Sequence, residues 1–144
     1  MIVLDTDHLS ILAEPTSSQR RALIDRMIEA EVNLGEQFFG TIISVEEQLR
    51  GWLAQIARNH VVHRQLSAYE RLQRVVNFFA TIEVLPFDQR AADHCESLRQ
   101  ARIRIGTMDR KIASIALVHD ALLLTANILD FGQVPGLRAE NWLV

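Results

Sequence analysis

The chain has 144 residues, 49% of them hydrophobic, and a formal net charge of −3, with mean hydropathy +0.07 and a pI near 5.9; this excludes a disordered chain, and the acidic balance argues against nucleic-acid binding by bulk charge. Its single cysteine, Cys95, excludes an intrachain disulfide or a multi-cysteine metal site and suits a reducing cytoplasm. No run approaches the ~18 apolar residues of a membrane span, and Met1–Leu4 has neither a basic segment nor a long apolar stretch, so neither a membrane helix nor a signal peptide is expected.

Met1–Leu4 is short, apolar and closed by Asp5, the pattern of a buried central strand. A brief helix is predicted over His8–Ala13, capped by Asp7 and stopped by Pro15. Ser18–Val32 carries Ala22, Leu23, Met27 and Ile28 at helical spacing; Asn33–Gln37 reads as a loop and Phe38–Ile43 as the second strand. Val45, Leu49, Trp52, Leu53 and Ile56 mark a helix, Leu66, Tyr69, Leu72, Val76 and Phe79 a longer one, and the two make a hairpin arm. Ile82–Leu85 is a third strand, and Asp88 caps a helix over Gln89–Arg102 whose Ala92, Cys95 and Leu98 point to the core. Thr107–His119 is a helix, Leu122–Thr125 a buried strand, and Asn141–Val144 a candidate last edge strand. The alternation predicts an α/β fold, a three-layer arrangement with a mainly parallel central sheet of roughly four to five strands flanked by helices, in one domain spanning residues 1–144.

Parallel strands place their C-terminal ends on one rim, where ligands bind in open α/β sheets. Asp5 follows the first strand, Asp130 lies just past the Leu122–Thr125 strand, and the antiparallel helix brings Asp109 back to the same rim. Glu47 belongs there too if Ser44 caps its helix. Each acid has another reading: Asp109 complements the helix dipole, Asp130 is ordinary turn chemistry, and Ser44-Val45-Glu46-Glu47 forms a capping box. Together, four carboxylates on one rim would raise one another's pKa unless a cation neutralised them. An all-oxygen set suits Mg²⁺, with Mn²⁺ as a substitute, rather than zinc. One ion with a positioned water, or two ions roughly 3.5–4 Å apart, would serve in-line hydrolysis of a phosphodiester. The five histidines form no rival site. Around the acids, Arg50, Arg58, Arg64, Arg71 and Arg74, and again Arg99, Arg102, Arg104, Arg110 and Lys111, read either as solvated helix faces or as a basic frame.

Four ordered blocks then acquire a joint meaning: Ile2-Val3-Leu4-Asp5-Thr6-Asp7-His8-Leu9, Ile43-Ser44-Val45-Glu46-Glu47-Gln48-Leu49-Arg50-Gly51, Gly106-Thr107-Met108-Asp109-Arg110-Lys111-Ile112-Ala113, and Leu124-Thr125-Ala126-Asn127 through Asp130-Phe131. With Val134-Pro135-Gly136-Leu137 and Asn141-Trp142, they make the chain resemble a PIN domain, specifically the toxin subunit of a VapC-type toxin-antitoxin pair. The resemblance implies a Mg²⁺-dependent endoribonuclease acting on RNA, a homodimer in the cytoplasm, held inactive by a cognate antitoxin. It implies Asp5, Glu47, Asp109 and Asp130 as the catalytic and metal-binding acids. Glu46 for Glu47 and Asn127 for Asp130 stay open as alternatives, with Thr6, Asp7, Ser44 and Thr125 as supporting groups. An antitoxin groove is expected between the arm at Trp52 and the short helix at Leu9–Leu12. Two rivals compete: Asp5-Thr6-Asp7 also resembles a haloacid-dehalogenase-type phosphohydrolase with Asp5 as nucleophile, although Leu9 and the position of Lys111 depart from that pattern; or the chain is a non-catalytic RNA- or protein-binding module.

Overall fold

A computed structural model describes residues 1–144. Strands β1 (Ile2–Leu4), β2 (Phe38–Thr41), β3 (Glu83–Leu85), β4 (Leu122–Leu124) and β5 (Arg138–Glu140) form one sheet in the order β3-β2-β1-β4-β5, and every neighbouring pair is parallel. Seven helices accompany it: α1 (Thr6–Ala13), α2 (Ser18–Leu34), α3 (Ile42–Arg58), α4 (Leu66–Phe79), α5 (Gln89–Gln100), α6 (Thr107–Val118) and the single turn α7 (Ile128–Phe131).

The strands are apolar at consecutive positions because both faces of the sheet are covered. Val3, Phe39 and Leu123 point to one side, into a core completed by Ala91 and Leu98 of α5 and Ile112, Ile115 and Ala116 of α6. Ile2, Leu4 and Leu124 point to the other, against Leu9 of α1, Met27 of α2 and Phe78 and Phe79 of α4. That strict alternation by two fixes the register and gives the three-layer α/β architecture. Gly40 of β2 lets α4 and the following turn approach closely: a Cβ there would stand 2.9 Å from Ile82 Cδ1.

Several boundaries differ from the sequence expectation. The first helix begins at Thr6 with Asp5 as its N-cap, not at His8 with Asp7, because Asp5 Oδ1 accepts the Thr6 amide hydrogen bond at 2.7 Å. The Asn33–Gln37 loop is shorter than read, since α2 continues to Leu34 and stops at Gly35 in the left-handed conformation, φ +65°. The second strand ends at Thr41, whose hydroxyl accepts the Ser44 amide at 3.1 Å and starts α3. Ser44 is therefore the third helical residue rather than the cap, and the β-branched run that read as strand to Ile43 is helix from Ile42. The last strand is Arg138–Glu140, not Asn141–Val144; its charged alternate residues are those of a solvated edge strand. Asp88 does cap α5, accepting the Ala91 amide, and α3 and α4 pack as the expected arm through a 3₁₀ turn at Val62–Gln65. Cys95 is only half-buried.

Candidate active site

Strand order reverses direction between β1 and β4: the chain builds outward through β2 and β3, then crosses to β4 and β5 on the other side. The crevice beyond the C-terminal ends of two such strands is where doubly wound sheets hold ligands. Asp5 follows β1 and Thr125 follows β4, and both are buried there.

A continuous run of hydrogen bonds joins the four acids singled out by sequence. Glu47 Oε1 accepts from Thr6 Oγ1 at 3.0 Å, and Ser44 Oγ lies 2.9 Å from the same hydroxyl. A carboxylate only accepts, so the Thr6 proton points to Glu47 and Ser44 donates to Thr6. The Thr6 amide holds Asp5 Oδ1, and Thr125 Oγ1 donates to Asp5 Oδ2 at 2.7 Å. Thr125 Oγ1 in turn accepts the Asn127 amide at 3.0 Å. The Asn127 side chain then spans the last two acids, its Nδ2 standing 3.4 Å from Asp109 Oδ2 and 2.9 Å from Asp130 Oδ2. Asp109 lies in the first turn of α6, where the helix dipole faces the rim.

The capping-box reading of Glu47 fails on this geometry. With Thr41 as cap, Glu47 lies a turn and a half into α3, out of reach of the helix's first amides, and is held by Thr6 instead. Glu46 is turned to the exposed side and pairs with Arg50, which separates the two adjacent glutamates. Asp130 lies in the single helical turn α7 rather than in an ordinary turn after the strand, and Asn127 is its partner.

Burial dominates the electrostatics. Asp5, 6% exposed, is pushed up to about 7 by loss of water and then by the charges of Asp7 and Asp109, against the hydrogen bonds of Thr125 and Thr6. Burial likewise raises Glu47, with repulsion from Asp109, Glu46 and Asp7 adding to it and the Thr6 bond opposing. Asp109 is raised by burial and by Asp130 and Asp7, against its bond from Asn127. Asp7 behaves differently: burial would raise it, but hydrogen bonds from the His8 ring and from the Ala126 and His8 amides together hold it below its ordinary value. It thereby ties α1 to the loop after β4, with Asp7 Oδ2 accepting from Ala126 N at 2.7 Å.

The donor set suits a hard divalent cation. It is all oxygen, and three of its acids are raised toward neutrality, which a cation would reverse. No three His, Cys, Asp or Glu side chains converge into a closed metal cage; Thr6, Thr125 and Asn127 stand between the acids. Such spacing fits Mg²⁺, which takes one or two carboxylates and keeps several waters.

Sequence reasoning missed His8, one of the scattered histidines. It is fully buried, its Nδ1 2.6 Å from Asp7 and its Nε2 accepting the Trp142 amide hydrogen bond. Only its place beside Asp7 hints at this strap on the C-terminal segment. The expected groove is also displaced. Between α1 and the arm the surface is mixed, lined by Ser10, Glu14, Gln48, Trp52, Arg71 and Arg74, whereas the apolar exposed face is on the other side of α3, along Ile42, Val45, Leu49 and Leu53. The basic frame is partly neutralised: Arg71 bonds Glu14 and Arg99 bonds Glu96.

A family model described as PIN domain matches residues 2–136. Among curated proteins, the tRNA(fMet)-specific endonuclease VapC of Salmonella typhimurium is 32% identical over 83 residues, 55% of this chain and 63% of that protein. Ribonuclease VapC2 of Rickettsia felis is 35% identical over 69 residues, 45% of this chain and 52% of that protein. The match thus spans less than two thirds of either relative. Two solved structures share the fold along the whole chain: VapBC2 from Rickettsia felis bound to a promoter DNA fragment, with TM-score 0.74, 21% identity and 99% of both chains covered, and VapBC-1 from nontypeable Haemophilus influenzae, with TM-score 0.73, 19% identity and 100% of both. None of these likenesses favours a dehalogenase-type phosphohydrolase, and Leu9, 1% exposed in the core, offers no polar group where that chemistry wants one.

Proposed function

The chain belongs to the PIN domain family, and from that membership we propose that it is a metal-dependent endoribonuclease, the toxin of a toxin-antitoxin pair. The observation that carries this reading is the single hydrogen-bonded run from Glu47 through Asp5 to Asp109 and Asp130 at the switch point of the sheet. The names of the curated relatives, a tRNA endonuclease and a ribonuclease, agree with it. Residues 1–144 act as one PIN domain.

Asp5 is the central ligand, because a strand end is a rigid mount and two hydrogen bonds fix both of its oxygens. Glu47 and Asp109, which do not converge with it on one point, would orient the ion's waters, and Asp130 steadies Asp109's side of the rim through Asn127. When bound to these residues, Mg²⁺ or Mn²⁺ supplies the positive charge that makes a water acidic enough to attack phosphorus and offsets charge on the phosphorane-like transition state. The chain's own groups hold that arrangement ready. Thr6 keeps Glu47 aimed, Thr125 keeps Asp5 aimed, and burial of Asp5 keeps a proton on its carboxyl that a bound cation would displace.

The partners follow the same reading: RNA as substrate, a cognate antitoxin protein as inhibitor, and a second copy of the chain. The VapBC complexes among the structural neighbours support the antitoxin, and the apolar face of α3 offers surface for protein contact. No helix is long and apolar enough to cross a membrane, in keeping with a cytoplasmic site of action.

Purified protein with Mg²⁺ should cut a structured RNA such as tRNA, with Asp5→Asn inactive and chelator abolishing cleavage. Sequencing the new ends after brief expression of wild type beside Asp5→Asn would identify the target. Failure of the wild type to cut, or full cutting by Asp5→Asn, would overturn the nuclease. Induced expression should arrest growth unless the co-encoded partner is supplied; unimpeded growth would overturn the toxin assignment.

A further inference from the structure

Helix α3 leaves the acidic rim with one polar face, and Gly51 lies near its middle on that face. A glycine inside a helix is less favourable than alanine, so it needs a reason. Folding does not supply one. A Cβ built on Gly51 meets nothing within 4 Å, so no neighbouring element needs the space. What the missing side chain opens is a cleft of about 420 Å³ that reaches Thr6 and Glu47 at one end and Arg58 at the other, roughly three helical turns away.

The lining of this cleft is chemically specific. Trp52 is its one hydrophobic residue. Arg71 lies over the Trp52 ring, 5.6 Å from its centroid. Arg58 is in no ion pair with an acid, its guanidinium making only a 3.4 Å bond to a carbonyl of its own helix. Gln48 is already fixed, its amide nitrogen bonded to Ser10 Oγ at 2.5 Å. A peptide groove would be apolar-lined. A free guanidinium, the one free amide of Gln55 and an aromatic wall beside the carboxylates suit an unpaired nucleotide instead, with its phosphate on Arg58 and its base edge toward Gln55.

We propose that this cleft seats one unpaired nucleotide of the RNA next to the cleaved bond, and that Gly51 stays bare to admit it. The inference rests on the ribonuclease reading and assigns the substrate's position within it: single-stranded loops enter and continuous duplex does not. A second cleft, sharing Gln48 and Trp52, continues from it toward Arg71 and Arg74.

The test is fluorescence anisotropy of the full chain with a labelled RNA stem-loop and a blunt RNA duplex, in chelator so that no cutting occurs. The wild type should bind the stem-loop roughly tenfold or more tighter than the duplex. Gly51→Leu should erase that preference, and Gly51→Ala should weaken stem-loop binding several-fold with a melting temperature equal to or above the wild type. Arg58→Ala should reduce the salt slope of binding by about one. Wild-type binding in both Gly51 variants would overturn the proposal, as would a lowered melting temperature in Gly51→Ala, which would make the glycine a requirement of the fold. If the Gly51 variants bound RNA normally but escaped inhibition by the partner protein, the cleft would be a protein groove and the proposal wrong. A wild type that shows the Gly51-dependent binding yet cuts no RNA with Mg²⁺ would remove the nuclease reading and leave the nucleotide cleft standing.

Discussion

Asp5 caps α1, accepts the Thr125 hydroxyl and sits almost without water, so its charge is expensive. In the folded, metal-free chain its carboxyl titrates near 7, against an ordinary value of 3.8. Between those values the folded state binds more protons than the unfolded state, so stability falls as pH rises from about 4 to about 7 and stays low above it. Glu47 and Asp109, also raised, act in the same direction. Asp5→Asn keeps a capping oxygen and removes the charge. In chelator at pH 8 it should melt on the order of 5 °C above the wild type, and near pH 4 the two should melt together; a variant no more stable at pH 8 would show that Asp5 bears no such strain. Cleavage by the same variant should fall at least about 10²-fold. Thr6→Val isolates the neighbouring contact, since it removes the donor to Glu47 while nearly keeping the volume. Cleavage and Mg²⁺ affinity should both drop by roughly 10–100-fold, with the melting temperature little changed; unchanged kinetics would make Thr6 a packing residue only.

At the scale of elements, the ends of helices decide where the acids stand. The sequence shows α4, α5 and α6 through apolar spacing and, for α5, through Asp88, because those signals are local. The start of α3 is harder to read, since Thr41-Ile42-Ile43 has the β-branched run of a strand and Ser44 looks like a cap. The backbone turns at Thr41, and that shift of three residues is what frees Glu47 from the capping box. The turn of α7 is too short to show periodicity, so Asp130 read as a loop residue. The convergence of Asp5 and Asp109 was legible because parallel strands and returning helices share a rim; Thr125 and Asn127 were named through the family resemblance, but the bonds by which they space the acids were not legible, because bonds between residues far apart in sequence leave no pattern. Gly35 offers a clean separation of fold from site. Its φ of +65° disfavours any side chain although a Cβ would meet no atom, and it caps α2 before β2, at the end of the sheet away from the acids. Gly35→Ala should cost about 1 kcal/mol and lower the melting temperature by about 3 °C, while RNA cleavage at 25 °C stays at the wild-type rate. A fall in cleavage without loss of stability would place Gly35 in the functional machinery.

Across the whole molecule, the sheet's change of direction between β1 and β4 gathers acids from the beginning, middle and end of the chain into one crevice. No segment of the chain holds the set alone, so a bound cation links all of these elements and should stabilise the fold as a unit. A ligand bound only by the folded state adds about 2.7 kcal/mol at a hundredfold excess over its dissociation constant. Titrating chelator-treated protein with Mg²⁺ should therefore raise the melting temperature, and chelator should reverse the rise. With Asp5 as a ligand, as proposed, the size of the rise should depend on pH, because the cation would compete with the proton on Asp5. Below about 7 that carboxyl is mostly protonated and each binding event must displace the proton; above it the site is charged and waiting. The Mg²⁺-induced shift at a fixed concentration should accordingly be larger at pH 8 than at pH 6, and Asp5→Asn should lose most of it at both. A shift of equal size at the two pH values, or one retained in Asp5→Asn, would mean that the cation binds elsewhere on the surface and that the crevice between β1 and β4 is not its site.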